Sequence, residues 1–210
     1  MTKVAIFGAT GRTGRLLVEG ALRDGHEVIA LVRDPGKLAA SHEGLRVVEG
    51  DVLIPSRVEE AVAGADAVLS ALGHTKTSPK DVQARGTRHV VAAMKGHGVR
   101  RLVSLTGAGV RDPGDRSKLV DKAFSGLLKL LQRDVLEDAE RHAEVIKGSG
   151  LAWTIVRAPR LTDGPATGEY RVGLVGENSG TKISRADVAD FMLHVLADGS
   201  HVARAPMISY

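Results

Sequence analysis

Cysteine is absent from the 210 residues, and aromatic rings are scarce, with one tryptophan, two tyrosines and three phenylalanines. Without a thiol the chain has no disulfide framework, no thiolate metal site and no cysteine nucleophile. No metal site is expected. The shortage of rings argues against nucleic-acid recognition by stacking, which a formal net charge of +4 would otherwise suggest. That modest basic excess suits an anionic small molecule better. No apolar run reaches the roughly 20 residues of a membrane span, and "MTKVAIFGAT" enters a strand without the leader of a signal peptide. The cytoplasm is therefore the expected compartment.

What the chain does have is glycine, 25 residues of it, with 43% hydrophobic and 26% charged residues, the balance of a soluble α/β protein. Its length suits one domain over residues 1–210. Apolar, β-branched runs recur at "KVAIFG", "EVIALVR", "LRVVEGD", "DAVLSALG", "RRLVSLTG" and "LAWTIVRAP", with a weaker one at "HVARAPMIS". Helical spacing fills the intervals 12–24, 55–63, 79–97, 116–147 and 184–197. Strands without strict alternation, separated by helices, predict a doubly wound parallel sheet of the Rossmann type, covered on both faces. In such a sheet the ligand crevice lies at the carboxyl ends of the strands.

The first of those ends reads "FGATGRTG". Gly8 permits the tight turn, Gly11 lets a diphosphate approach the main chain, and Gly14 lets the helix pack on the strand. The helix then presents free N–H groups to an anion, to which Thr10 and Thr13 add hydroxyls and Arg12 a charge. The second strand ends in Arg33, with Lys37 one turn on, where an NAD-binding chain usually carries an acid. A guanidinium grips a 2′-phosphate that an acid would repel, so NADP(H) is the expected cofactor. Asp34, next door, is an alternative contact for the ribose. Asp51 and Val52 end the third strand where adenine should lie, although Asp51 serves equally well as a turn or capping acid.

"IFGATGRTG", "ALVRDPGKL", "GDV", "AVLSALG", "GTRHVVAAMKGHGV" and "LTDGPATGEYRV", in this order and spacing, resemble the atypical short-chain dehydrogenases that include biliverdin-IXβ reductase, also called flavin reductase (NADPH), and their NmrA-like relatives. The resemblance spans the whole chain. It implies an NADPH-dependent reductase with an open substrate pocket, walled by "SALGHT", "SLTGAG" and "RAPRLTDG". On that footing Ala71, Leu72, Gly73 and Pro159 are expected along the cofactor, and Thr106 near the nicotinamide. Two residues depart from the pattern: Arg160 stands in place of a histidine and Gly107 in place of a serine. Arg160 is a candidate for attracting an anionic acceptor or for contacting the nicotinamide and diphosphate. Arg157, inside the strand, reads as structural, and His74 as a crevice-edge residue that binds substrate or faces water.

Most short-chain dehydrogenases use Tyr-x-x-x-Lys as a proton relay. Here Tyr170 is followed four positions later by Leu174, and Tyr210 is the last residue. Ordinary ketone reduction is thereby disfavoured. Acceptors that delocalise the arriving charge, such as FMN, FAD, riboflavin or a linear tetrapyrrole, need positioning more than an acid. The expected activity is NADPH-dependent reduction of such an acceptor, with a non-catalytic NADP(H) sensor as the alternative. The leucine-rich stretch 117–131 reads as a lid over the substrate or a protein contact.

Overall fold

The computed structural model describes residues 1–38, 41–116 and 133–210. In chain order the elements are β1 (Lys3–Phe7), α1 (Arg12–Arg23), β2 (Glu27–Val32), β3 (Leu45–Glu49), α2 (Pro55–Val62), β4 (Ala67–Ser70), α3 (Val82–Gly96), β5 (Arg101–Gly107), α4 (Arg133–Lys147), β6 (Ala152–Ala158), β7 (Arg160–Thr162), β8 (Arg171–Gly173), β9 (Lys182–Ser184), α5 (Arg185–Ala197) and β10 (Met207–Ser209). The main sheet runs β3-β2-β1-β4-β5-β6-β10-β8, and β7 pairs with β9 in a separate two-stranded sheet.

Burial on both faces explains why the strands lack alternation. In β1, Val4 and Ile6 join Leu17 and Val18 of α1 and Val188 and Met192 of α5, while Ala5 and Phe7 join Val58 and Val62 of α2 and Val90 and Met94 of α3. Each large apolar side chain buried in this way contributes about 1.5–3 kcal/mol. Local signals fix the helix ends. Pro55 opens α2 at a position where its missing N–H costs nothing. Ser184 caps α5 by accepting from Asp187 N at 2.9 Å. Gly25, at φ +79°, takes the left-handed conformation just beyond α1.

The doubly wound sheet is as expected, with two corrections. It is not wholly parallel, because β8 runs antiparallel to β10. The segment after β6 also forms the three-residue strands β7, β8 and β9, which its glycine- and proline-containing sequence does not announce. The stretch 117–131 lies outside the described residues. Among the described residues no helix is long and apolar enough to cross a membrane.

The order of the strands reverses between β1 and β4, since the chain winds outward through β2 and β3 and then returns to β4, β5 and β6. Register places Phe7 beside Ser70, and Ser70 beside Ser104. The carboxyl ends of β1, β4 and β5 therefore open onto one crevice at this switch point.

Candidate active site

The loop after β1 is built for close backbone approach. A Cβ on Gly8 would lie 2.5 Å from Ala71 O, and Gly8 also has φ +76°. A Cβ on Gly14 would lie 2.0 Å from Gly8 O, whereas one on Gly11 would meet only Gly8 O, at 3.1 Å. Gly8 and Gly14 thus lock the loop against β4 and α1 against the loop. Gly11 is the N-cap of α1 and offers no side-chain cap, and the first turn of α1 holds no acid. Its N–H groups are left for an external anion. Thr10 is half-buried and Thr13 buried in the same loop. Arg12 is exposed and pairs with Asp163 at 3.1 Å, and Asp163 also accepts from Arg185 at 2.6 Å. The segment after β7 is thereby tied to the mouth of the loop.

Beyond β2 and β3 lies a cavity of about 610 Å³ lined by Arg33, Glu49, Gly50, Asp51, Ile54 and Arg57. Arg33 and Asp51 face each other at 4.0 Å, and Asp51 also accepts from Leu53 N at 2.9 Å, so it is a turn acid as well as a lining residue. Val52 is core: its side chain fills the space above Gly86, and its carbonyl contacts His89 Nδ1 at 2.9 Å. Lys37 pairs with Asp34 at 3.2 Å, while Arg15 donates to Lys37 O at 2.9 Å. Two basic groups at this end, Arg15 and Arg57, carry no sequence motif. They arrive from α1 and α2: Arg57, paired with Glu60 at 2.9 Å, lines the cavity with Arg33, and Arg15 reaches the Lys37 carbonyl.

At the other end of the crevice, Ala71, Leu72 and Gly73 follow β4. Ala71 abuts the glycine loop, Leu72 O accepts from Gln83 Nε2 at 3.3 Å, and Gly73 is exposed. Ser70 Oγ, Gln83 Oε1 and Thr106 Oγ1 are buried without hydrogen-bond partners among the described residues. Orphaned polar atoms of this kind mark a place for a ligand or water. His74 is half-buried at the crevice edge. Its Nε2 is buried 3.0 Å from Asp138 Oδ2. Asp138 accepts in turn from Gln83 N at 2.8 Å and Ala84 N at 3.0 Å, at the start of α3. One turn further along α4, His142 is wedged between Thr87 Oγ1 at 2.6 Å and Ser104 Oγ at 3.1 Å. Burial lowers its pKa to about 4, against a smaller upward pull from Asp138, so it is neutral near pH 7.

Along β6 the two arginines part ways. Arg157 is fully buried and grips Asp115 with two bonds, at 2.6 and 2.8 Å, while also donating to Ala205 O and Val110 O. It is structural. Pro159 is half-buried, and Arg160 opens β7 exposed, with no side-chain partner among the described residues. Both tyrosine hydroxyls are engaged with carboxylates of α5: Tyr170 donates to Asp190 at 3.1 Å, and Tyr210 donates to Asp187. Burial, followed by the neighbouring Asp190, pushes the Tyr170 phenol well above its ordinary value. A proton-relay tyrosine needs the opposite shift.

The family model for NAD(P)H-binding proteins matches residues 8–199, from the first glycine of the loop to the end of α5. The chain belongs to the NAD(P)H-binding family. Within it, the chain is 34% identical over 191 residues to a 3-diazoavenalumate denitrifying reductase from a Streptomyces species, covering 81% of this chain and 60% of that one. It is 29% identical over 214 residues to the (4-alkanoyl-5-oxo-2,5-dihydrofuran-3-yl)methyl phosphate reductase of Streptomyces griseus, covering 98% and 67%. The chain thus spans about two thirds of the length of these two relatives. Among solved structures, ChuY, an anaerobillin reductase from Escherichia coli O157:H7, superposes with a TM-score of 0.79 at 24% identity, covering 99% of this chain and 97% of that one. The family model assigns NAD(P)H binding to the chain, two of its relatives are reductases, and the likeness to ChuY is one of fold.

Proposed function

We propose that the protein is an NADPH-dependent reductase of a flavin or a similar planar, conjugated acceptor. The observation that carries the acceptor class is the engagement of both tyrosine hydroxyls with carboxylates of α5, which leaves neither phenol free to serve as a proton relay. An unconjugated ketone would have to develop alkoxide charge with no phenol to meet it. A conjugated acceptor spreads that charge, so its reduction rests more on positioning.

The residues present fit a phosphorylated dinucleotide. Gly8 and Gly14 let the loop close on β4 and on α1, Gly11 leaves the space beside the first turn of α1 clear, and that turn would hold the diphosphate, with Thr10, Thr13 and Arg12 beside it. Arg33, Arg57, Arg15 and Lys37 gather positive charge at the adenosine end, where a 2′-phosphate would bind. Asp51 would set the orientation of Arg33. Ala71, Leu72, Gly73 and Pro159 would line the cofactor, and the orphaned Thr106 Oγ1 would bond at the nicotinamide end. Bound NADPH supplies the hydride. Arg160 would draw in an anionic acceptor such as a flavin phosphate or a tetrapyrrole carboxylate.

The test is NADPH oxidation by the purified protein with FMN, FAD, riboflavin, biliverdin and a quinone. Turnover of at least one acceptor is expected, and silence with all of them overturns the reading. Tight NADP(H) binding accompanied by that silence would favour a sensor instead. Arg160→Ala is expected to raise KM for the anionic acceptors and to leave NADPH affinity unchanged.

A further inference from the structure

We propose that His74 is the general acid of this reaction, oriented by the buried carboxylate of Asp138. The inference rests on the reductase reading above and adds a proton donor to it. His74 stands in the loop after β4, at the switch point of the sheet, four residues beyond Ser70. Its side chain is 16% exposed, yet Nε2 is wholly buried, 3.0 Å from Asp138 Oδ2 and off the line of a straight hydrogen bond. Asp138 is 1% exposed and is fixed by two backbone N–H groups of α3. A carboxylate held this firmly beside an imidazole favours the tautomer with hydrogen on the near nitrogen. That leaves Nδ1, which makes no hydrogen bond among the described residues, as the nitrogen open to a ligand.

The surroundings support a ligand site more than a structural latch. Three unpartnered buried polar atoms, Ser70 Oγ, Gln83 Oε1 and Thr106 Oγ1, come from the ends of β4 and β5 and the start of α3, the same elements that frame His74 and Asp138. A latch would need only the ring and the carboxylate, and three orphans beside it would be a cost without a return. The second histidine of the region, His142, has both ring nitrogens engaged and is held neutral, so it has no proton to give near pH 7.

A C–H bond forms on the acceptor as the hydride arrives, and the electron pair of the acceptor's conjugated double bond moves to a terminal oxygen or nitrogen. The Nδ1 proton of the His74 imidazolium passes to that atom, and the neutral ring regains a proton from water. In sum, acceptor, NADPH and one proton give the dihydro product and NADP⁺. The substrates that gain most are conjugated carbonyls or imines, in which the spread charge still reaches a terminal oxygen or nitrogen that the proton neutralises.

His74→Ala, assayed with NADPH and the acceptor panel above, is expected to lose on the order of 100-fold in kcat. NADPH affinity, read by cofactor fluorescence, should stay within about twofold, which also reports that the crevice is folded. Added imidazole should restore turnover of the variant in proportion to its protonated fraction and should leave the parent unaffected. Independently of turnover, the ¹⁵N ring signals of neutral His74 should show hydrogen on Nε2 and none on Nδ1. If the parent turns over an acceptor and His74→Ala does so equally well, the role of His74 falls and the reductase reading stands. If the parent reduces nothing, both fall. Hydrogen found on Nδ1 of the neutral ring overturns the orientation by Asp138.

Discussion

Gly11 and Gly14 lie three residues apart in one loop and answer to different constraints. At Gly14 a methyl group would meet Gly8 O at 2.0 Å, Gly8 C at 2.7 Å and Ala9 Cα at 2.9 Å, all of them backbone, so α1 would have to move off β1. At Gly11 the backbone is in an ordinary region, φ −70° and ψ 162°, and the methyl would meet only Gly8 O. Gly14→Ala should therefore lower stability by about 1–3 kcal/mol or more even without nucleotide. Gly11→Ala should change stability by less than about 0.5 kcal/mol but occupy the space beside the free N–H groups and weaken NADPH binding. Urea denaturation and calorimetric titration of the two variants separate these outcomes, and equal losses of stability would refute the distinction. Arg33 makes a companion case at the far end of the site. Exchanging it for aspartate removes one or two charge-assisted hydrogen bonds and adds repulsion, so NADPH binding should weaken by a few kcal/mol and NADH binding much less. An equal loss for both nucleotides would remove Arg33 from the 2′-phosphate.

Between elements, the ion pair of Arg157 and Asp115 does what no pattern of apolar residues could announce. Arg157 lies inside β6 and is fully buried, and through Asp115, Val110 O and Ala205 O it fastens the loop after β5 and the approach to β10 onto β6. Asp115 accepts in addition from Val175 N at 3.1 Å, which draws in the segment after β8. Burial alone would raise the pKa of Asp115, but the bonds from Arg157 and from the Asp112 and Val175 amides hold it below the usual carboxylate range. Asp115→Ala leaves a buried guanidinium unpaired and should cost about 3–5 kcal/mol, whereas a second change, Arg157→Met, should recover part of that loss. A double-mutant cycle in urea measures the coupling, and additive losses would contradict it. The same contrast explains what the sequence allows one to read. The first six strands and the glycine loop are legible because each is local: an apolar run, a turn, a helix start. The strands β7, β8 and β9 escape because three residues carry no periodicity and their partners are distant in the chain. Arg15, Arg57 and the pairing of His74 with Asp138 escape for a related reason, since residues separated by up to 64 positions meet only once the sheet has ordered them.

At the scale of the whole molecule, the buried polar layer beneath the crevice couples the fold to pH. His142 is almost fully buried and its pKa is lowered to about 4, while in the unfolded chain a histidine titrates near the ordinary 6.5. Between those values the unfolded state binds the proton and the folded state does not, so the stability gained from a neutral His142 is fully present above about pH 6.5 and is lost as pH falls toward 4. The difference amounts to roughly 3 kcal/mol across that window. Asp115 and Asp187, both held below the ordinary carboxylate value, lose their contributions only at lower pH, as protons reach those carboxylates. Acid unfolding should therefore begin with a decline in the urea midpoint between pH 7 and 4.5, before the carboxylates act. His142→Leu should be less stable at pH 7, because Thr87 Oγ1 and Ser104 Oγ lose their partner, and yet show a flatter profile over that same interval. A variant whose midpoint declined as steeply as the parent's would show that the proton is taken up elsewhere.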